Sequence, residues 1–233
     1  MPDPPRTLAL GDIHGCYSAP TALQRFVPFD PDDLILTLGD VVDKGPDVPR
    51  VLDWLIARQT AGTLVALRGN HDQMMLDARR DPEHFSIWLS CGGRQTLEAY
   101  GLPLTFDALG QIPPPHWAFL EATSLYYQTS DHFFVHGNVD PELPLDDQPE
   151  YLLLWEKFHT PPLHPPPSPH LSGKTMVCGH TSQKTGQIND QGHAVCIDTW
   201  ACGQGWLTAL DPATGQYWQA NQAGKTRRGK RSR

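Results

Sequence analysis

The chain has 233 residues, of which 39% are hydrophobic and 19% charged, and its formal net charge is -8. This length suits one large α/β domain with a well-buried core, and the composition is ordinary for a soluble globular protein. No apolar run approaches the roughly 20 residues that a membrane-spanning helix needs, and residues 1–6 contain no apolar signal core. We therefore expect a cytoplasmic protein that does not contact membranes.

The charge is unevenly distributed along the chain. Residues 225–233 hold six of the 18 lysines and arginines and no acid, so residues 1–224 carry 12 basic and 26 acidic side chains. An acidic body repels phosphate and nucleic acid unless bound cations reverse the local potential. We interpret residues 1–224 as a single domain and residues 225–233 as a basic, disordered tail, with docking of the tail to nucleic acid or another acidic partner as the alternative.

The first third of the sequence alternates apolar runs with segments of helical spacing. Helices are expected over residues 19–27 and 48–59, with Ser18 and Asp47 as their N-caps. Strand, turn and helix follow one another three times, which is the βαβ pattern of a mostly parallel sheet. The apolar runs that predict its strands are residues 7–10, 34–38 and 64–67.

The rest of the chain changes character twice. Residues 82–125 are predicted to be mainly helical, with a break at Gly92 and Gly93. Residues 161–170 hold six prolines, which exclude regular helix or central strand; we interpret them as a stiff connector, with a cap beside the functional site as the alternative. A second, partly antiparallel sheet is predicted from the runs at residues 133–135, 175–178, 194–197, 206–210 and 217–220.

Polar side chains follow five of the predicted strands at the point where each strand ends. In open α/β sheets, ligands gather at the carboxyl ends of the strands. We therefore expect these side chains to form one shared site. The candidate metal ligands are Asp12, His14, Asp40, Asn70, His136 and His180.

The chemistry of this donor set narrows the choice of metal. Carboxylate, imidazole and amide groups without thiolate suit manganese, iron or zinc better than copper(I), and the set has too much imidazole for a calcium or magnesium cage. Six side chains are too many for one ion that must also hold water and substrate. Two divalent ions bridged by one carboxylate, roughly 3.5 to 4 Å apart, fit better. We expect manganese, with iron or zinc as alternatives.

The motifs around these donors resemble those of the phosphoprotein phosphatase branch of the metallophosphoesterases. They are GDIHG at 11–15, GDVVDKGPD at 39–47, RGNHD at 68–72, HG at 136–137 and GH at 179–180. The stretch Gly-Gly-Arg-Gln-Thr-Leu at 92–97 is similar to one in small bacterial and bacteriophage serine/threonine phosphatases. The resemblance implies an α/β sandwich of two mixed β-sheets flanked by helices.

The resemblance also implies a role for each residue. Asp12 and His14 would bind the first metal, and Asp40 would bridge to the second, which Asn70, His136 and His180 would complete. A water between the ions would attack phosphorus directly, without a covalent phosphoenzyme. His71 would protonate the leaving oxygen, and Asp43 would orient His71. Arg68, Lys44 and Lys157 would bind the substrate phosphate.

The two lysines depart from the family, which has arginine at these positions. Lysine keeps the charge but lacks the planar fork that holds two phosphate oxygens. We therefore expect a looser grip on phosphate at Lys44 and Lys157.

Together these features predict a serine/threonine-type metallophosphatase that hydrolyses phosphomonoesters of proteins or small molecules. One alternative is a hydrolase of dinucleoside polyphosphates such as diadenosine tetraphosphate. In that related branch the motif equivalent to GDVVDKGPD often lacks the second aspartate, so the presence of Asp43 favours the phosphatase. The other alternative is a phosphate-recognition module without turnover. Such a module is expected to lack a metal ligand or His71, and none of these residues is missing.

Overall fold

The computed structural model describes residues 6–27, 30, 32–158 and 168–231, so most of the proline-rich segment 161–170 lies outside the described residues. Within them, the strands are β1 (Thr7–Leu10), β2 (Leu34–Thr37), β3 (Leu64–Ala66), β4 (Tyr126–Gln128), β5 (His132–Val135), β6 (Thr175–Cys178), β7 (Asn189–Asp190), β8 (Ala194–Cys196), β9 (Asp198–Thr199), β10 (Trp206–Leu210), β11 (Gln216–Ala220) and β12 (Thr226–Lys230). The α-helices are α1 (Ser18–Phe26), α2 (Val48–Thr60), α3 (Asn70–Ala78), α4 (Pro82–Trp88), α5 (Arg94–Ala99), α6 (Pro114–Glu121) and α7 (Glu150–Trp155).

The first sheet contains seven strands in the order β12-β11-β10-β1-β2-β3, with β9 paired to β10. Strands β1, β2 and β3 are parallel, as predicted. Residues 206–210 and 217–220 were expected in the second sheet, but β10 pairs antiparallel with β1 and β11 pairs with β10. The prediction is wrong here because a strand signal in the sequence does not identify the strand's partner.

The second sheet has the order β4-β5-β6-β8-β7. Its strands β5, β6 and β8 are parallel, and β4 and β7 pair antiparallel at its two edges. The expected α/β sandwich of two mixed sheets is confirmed. Strands β1 to β3 of one sheet and β5 and β6 of the other carry the predicted metal ligands.

Successive side chains of the central strands enter different apolar clusters. Leu8 and Leu10 of β1 pack with the helices, whereas Ala9 packs with Phe134 and Val177 of the second sheet. Because side chains of a strand alternate between faces, β1 is buried on both sides. Buried strands of this kind form a rigid base for the loops that follow them.

The two predicted N-caps differ in how far they agree with the structure. Ser18 is already the first residue of α1. Asp47 does occupy the N-cap position of α2, but its side chain accepts no hydrogen bond from the helix. The helix positions themselves agree with the predicted ranges to within one residue. No helix among the described residues has the length and hydrophobicity needed to cross a membrane.

The basic C-terminal segment is ordered as strand β12, which pairs antiparallel with β11. The prediction of a disordered tail is therefore wrong for residues 226–230. Arg227 stacks over the Trp206 ring, 4.3 Å from its centroid, and donates to the Gln219 side chain. Arg231 pairs with Asp190 at 2.8 Å. These contacts compensate charges that look unpaired in the sequence.

Candidate metal centre

The predicted metal ligands converge at the carboxyl ends of β1, β2, β3, β5 and β6. Five residues of this region have left-handed backbone angles although they are not glycine, and only one other such residue, Trp200, occurs in the described chain. Non-glycine residues in this conformation are uncommon, and strain of this kind concentrates at functional sites. The five residues are His14 (φ 46°), Asp40 (φ 52°), Asp43 (φ 69°), Lys44 (φ 63°) and His180 (φ 62°).

Asp40 lies in the middle of the cluster and presents its two oxygens to different histidines. Its Oδ2 lies 3.3 Å from Nε2 of His14, and its Oδ1 lies 3.4 Å from Nε2 of His136. Asp12 belongs to the same cluster, because ligand atoms of Asp12, Asp40 and His136 lie within 4.8 Å of one another. This geometry suits a carboxylate shared by two ions.

Each of the three histidines is anchored through one ring nitrogen to a backbone carbonyl. Nδ1 of His14 lies 2.9 Å from the Val42 oxygen, Nδ1 of His136 lies 2.8 Å from the Leu38 oxygen, and Nε2 of His180 lies 3.0 Å from the Trp155 oxygen. These nitrogens must carry the proton, since carbonyl oxygens only accept. The other nitrogen of each ring is left with a lone pair directed into the cluster, as in metal sites.

Asn70 brings a third acceptor to the same point. Its Oδ1 lies 3.0 Å from Nε2 of His136 and 3.0 Å from Nδ1 of His180. With the tautomers given by the backbone carbonyls, these three atoms are all acceptors, and a cation between them would stabilise this arrangement. The residues present therefore fit a divalent metal ion.

The pKa values of His14, His180 and Asp40 agree with this interpretation, whereas burial raises the pKa of Asp12. Burial lowers the pKa of His14 to about 3 and that of His180 to about 4, so both imidazoles are neutral near pH 7. Burial raises the pKa of Asp40, but the neighbouring His136, His71, His14 and Lys44 lower it more strongly, and the net result is a pKa below the usual range. Neutral imidazole and ionised carboxylate are the forms that bind metal.

Gly69 allows the motif at 68–72 to come into contact with the motif at 39–47. A Cβ at Gly69 would lie 2.1 Å from Oδ1 of Asp40 and 2.3 Å from its backbone nitrogen. Only glycine permits this approach. Asp72 then joins the two motifs, because its buried carboxylate accepts from the backbone nitrogens of Gly69, Asp40, Val41 and Val42. The sequence analysis gave Asp72 no role, although its place in RGNHD was a usable signal.

His71 and Asp43 form a hydrogen-bonded pair beside the metal ligands. Nδ1 of His71 lies 2.8 Å from Oδ2 of Asp43, and the ring packs edge-on against His14 with centroids 4.8 Å apart. Burial lowers the pKa of His71, but Asp40 and the hydrogen bond to Asp43 raise it more, so its pKa lies above the usual value. A histidine held in this way can carry the proton that a leaving oxygen needs.

Two residues that the sequence analysis did not assign hold Asp43 in place. Trp88 Nε1 lies 3.0 Å from Oδ1 of Asp43. The Thr96 hydroxyl donates to the same oxygen at 2.7 Å and accepts from the Asp43 backbone nitrogen at 3.1 Å. Thr96 belongs to the Gly-Gly-Arg-Gln-Thr-Leu stretch, so its spacing was a signal. The sequence gave no such signal for Trp88, since a tryptophan in a helix ordinarily packs in the hydrophobic core.

Replacing Thr96 by Val is expected to lower kcat roughly tenfold with little change in KM. The variant loses a hydrogen bond to Asp43, so Asp43 and His71 are held less firmly, but no group that touches substrate is removed. Steady-state kinetics on an aryl phosphate measures this effect. Thr96→Ser keeps the hydroxyl and should retain kcat. Equal losses in both variants would show that the methyl group matters and not the hydrogen bond.

Arg68 is not brought into the cluster. Its Nε donates to the Thr123 hydroxyl at 3.0 Å and its Nη1 to Gln73 at 3.0 Å. Its Nη2 donates to the backbone oxygens of Leu120 and Glu121, at the C-terminal end of α6. Basic side chains near the C-terminal end of a helix can bind its last carbonyl oxygens. The phosphate contact expected of Arg68 stays a prediction, and the contacts found for its guanidinium join it to the end of α6 and to Thr123.

Arg68→Ala is expected to lower the free energy of unfolding by about 2 kcal/mol, because several carbonyl oxygens lose a charged donor. Denaturant titration measures the loss. Arg80→Ala is the matched control, since Arg80 makes only an exposed ion pair with Asp77, and we expect little change there. A large rise in KM with unchanged stability would contradict this structural role and support the predicted phosphate contact of Arg68.

The two predicted lysines differ in their placement. Nζ of Lys44 lies 2.9 Å from Nε2 of His14 and so borders the metal ligands. For Lys157, the contact found is that of its backbone oxygen, which accepts from Nδ2 of Asn138 at 3.0 Å. Its side chain is exposed. The segment is nevertheless adjacent to the centre, because the Trp155 oxygen contacts His180.

The chain belongs to the calcineurin-like phosphoesterase family, whose model matches residues 5–184, and to its phosphoprotein phosphatase branch. Serine/threonine-protein phosphatase 1 of Salmonella typhimurium is 42% identical over 36% of this chain, a match that spans 37% of that relative. The symmetrical bis(5'-nucleosyl)-tetraphosphatase of Klebsiella pneumoniae is 39% identical, covering 91% of this chain and 93% of that protein. The cold-active protein-tyrosine phosphatase of a Shewanella species shares the fold, with a TM-score of 0.60 and 19% identity over 98% of this chain and 82% of that chain. The predicted family is thus confirmed.

Proposed function

We propose that this protein is a phosphatase with two divalent metal ions that hydrolyses phosphomonoesters, with phosphoserine and phosphothreonine of proteins as its substrate class. The observation that carries the proposal is the position of Asp40, whose two oxygens lie 3.3 Å from His14 and 3.4 Å from His136. A bridging carboxylate needs this arrangement. Manganese remains the first choice of metal, with iron or zinc as alternatives, and the cytoplasm the expected location.

The proposed site divides the ligands between two positions. Asp12, His14 and Asp40 would hold one ion, and Asp40, Asn70, His136 and His180 the other. When bound, two such ions neutralise charge on a phosphate and lower the pKa of a water. The backbone carbonyls of Val42, Leu38 and Trp155 keep the three imidazoles in the tautomers that this role needs.

His71 would transfer its proton to the leaving oxygen. Asp43 accepts from Nδ1 of His71, so the proton to be donated is on Nε2. The carboxylate also stabilises the protonated imidazole before transfer. Lys44, at the edge of the cluster, would contact the phosphate, while a contact of Lys157 with the substrate rests on the resemblance alone.

The alternative function is hydrolysis of a dinucleoside polyphosphate. The match to a bis(5'-nucleosyl)-tetraphosphatase over 91% of this chain favours it. Asp43 argues against it, because the dinucleoside polyphosphate branch often lacks this aspartate. Here Asp43 is buried, hydrogen-bonded to His71 and held by Trp88 and Thr96. A phosphate-recognition module without turnover is the third candidate, and the complete ligand set speaks against it.

A substrate panel tests the proposal. Protein loaded with manganese is assayed on para-nitrophenyl phosphate, a phosphoserine peptide, a phosphothreonine peptide, a phosphotyrosine peptide and diadenosine tetraphosphate. We expect the highest kcat/KM among the biological substrates for the phosphoserine or phosphothreonine peptide. Faster cleavage of diadenosine tetraphosphate would favour the dinucleoside polyphosphate hydrolase. If no substrate is hydrolysed, the phosphate-recognition module without turnover is the remaining candidate.

A further inference from the structure

A cleft of about 570 Å³ opens beside the metal ligands, between Lys44 and the segment that joins α4 to α5. Its volume falls within the range of roughly 300–1,000 Å³ that is typical of ligand pockets. None of the six predicted metal ligands lines it. The cleft therefore lies next to the centre without including its predicted ligands.

Lys44 connects the cleft to the metal centre. Its Nζ contacts Nε2 of His14 at 2.9 Å, and its backbone nitrogen donates to the Gly92 oxygen at 3.3 Å. Gly92 has φ 124°, and a Cβ there would lie 3.0 Å from Cγ of Lys44. Glycine thus lets the wall of the cleft bend tightly against Lys44.

The charged residues that line the cleft are both basic. Lys44 and Arg94 face it together with the polar Ser86, Ser90 and Gln95, and no acid is among the described residues that line it. Arg94 is exposed, and within the described part of the chain no carboxylate pairs with it. Lys44 lies near the ionised Asp40, so the charge of Arg94 is the main source of a local positive potential at the cleft. Such a site attracts an anion.

We propose that this cleft binds a second phosphate group of the substrate, next to the phosphate that is hydrolysed. Lys44 would lie between the two phosphates, and Arg94 would hold the outer one, since guanidinium binds phosphate oxygens in pairs. This inference rests on the proposed phosphoester hydrolysis and narrows its substrates to those with two phosphates close together. The second phosphate is supplied either by a polyphosphate chain or by a neighbouring phosphorylated side chain.

Kinetics with matched substrates tests the inference. Arg94→Ala is expected to lower kcat/KM for a doubly phosphorylated peptide about five- to tenfold more than for the singly phosphorylated peptide of the same sequence, as expected for losing one charged hydrogen bond. Diadenosine tetraphosphate against para-nitrophenyl phosphate provides the polyphosphate arm. The substrate pair for which Arg94→Ala changes the ratio of the two kcat/KM values more identifies the source of the second phosphate. Arg25→Ala, which removes an exposed arginine in the last turn of α1, is the control and should change neither ratio.

Cys91 offers a readout that needs no turnover. It is an exposed free cysteine on the wall of the cleft, whereas Cys16, Cys178 and Cys196 are buried and Cys202 is half-buried. In metal-free protein, pyrophosphate is expected to slow alkylation of Cys91 by N-ethylmaleimide, as followed by peptide mass spectrometry. Sodium chloride at equal ionic strength should not, and Arg94→Ala should abolish the protection.

The two assays separate the possible failures. Protection of Cys91 without any hydrolysis would mean that the cleft binds phosphate while the proposed function fails. Hydrolysis without protection, and with equal losses on singly and doubly phosphorylated substrates in Arg94→Ala, would overturn the cleft assignment while the phosphatase stands.

Discussion

Replacing Asp40 by Asn is expected to abolish metal-dependent hydrolysis, with a loss of about 10³-fold or more, because several kcal/mol of transition-state stabilisation depend on the metal ions. The amide of the variant would keep an oxygen for the backbone nitrogen of His71, which donates to Oδ1 of Asp40 at 2.9 Å. It would lose the negative charge that both metal positions share. The variant should therefore fold but bind metal poorly.

Thermal unfolding with and without manganese measures that loss separately from activity. A ligand present at 100 times its dissociation constant stabilises a protein by about 2.7 kcal/mol, which corresponds to a Tm increase of roughly 5–10 °C at this chain length. We expect such an increase in the wild-type protein and none in Asp40→Asn. Asp211→Asn is the matched control, because Asp211 is also buried but lies near Arg6 at the opposite end of β1.

His71→Gln is expected to lower kcat by about 10²- to 10⁴-fold, the usual contribution of a positioned proton donor. The loss should be greatest for phosphoserine peptides, whose alkoxide leaves poorly, and smaller for para-nitrophenyl phosphate, whose phenolate leaves without a proton. The manganese-dependent rise in Tm should persist. Kinetics on the two substrates and one thermal scan give all three results.

A different outcome would change the role of His71. Donor atoms of His14, Asp40 and His71 lie within 4.8 Å of one another, so distance alone also allows His71 to bind metal. If His71→Gln loses the manganese effect on Tm as Asp40→Asn does, His71 is a ligand and not a proton donor. Asp43→Asn, which touches His71 but no metal ligand, should resemble His71→Gln in kinetics and retain the metal response.

The sequence predicted much of this site because the motifs are local. Asp40 lies three residues after the end of β2 and His136 directly follows β5, and parallel strands bring their carboxyl ends to one edge of a sheet. The donor chemistry was also readable without coordinates. What the sequence could not supply is the orientation of each ring, which depends on carbonyl partners such as the oxygens of Leu38 and Trp155.

Arg68 shows what a local motif cannot reveal. Its position in RGNHD predicts a phosphate contact, which stays a prediction, but nothing in the motif indicates that its guanidinium binds the carbonyl oxygens of Leu120 and Glu121, which lie more than fifty positions further along the chain. The partners of the basic C-terminal segment were equally unreadable from the sequence. Arg227 is compensated by Trp206 and Gln219 of other strands, and a charge run gives no sign of such partners.

The central claim is a two-metal centre bridged by Asp40, and metal stoichiometry tests it most directly. Wild-type protein and Asp40→Asn are loaded with manganese, freed of excess metal by gel filtration, and analysed by inductively coupled plasma mass spectrometry against protein concentration. Two ions per wild-type chain and fewer than one per Asp40→Asn chain are the predicted results. One ion or none in the wild-type protein, or an unchanged content in Asp40→Asn, would contradict the claim.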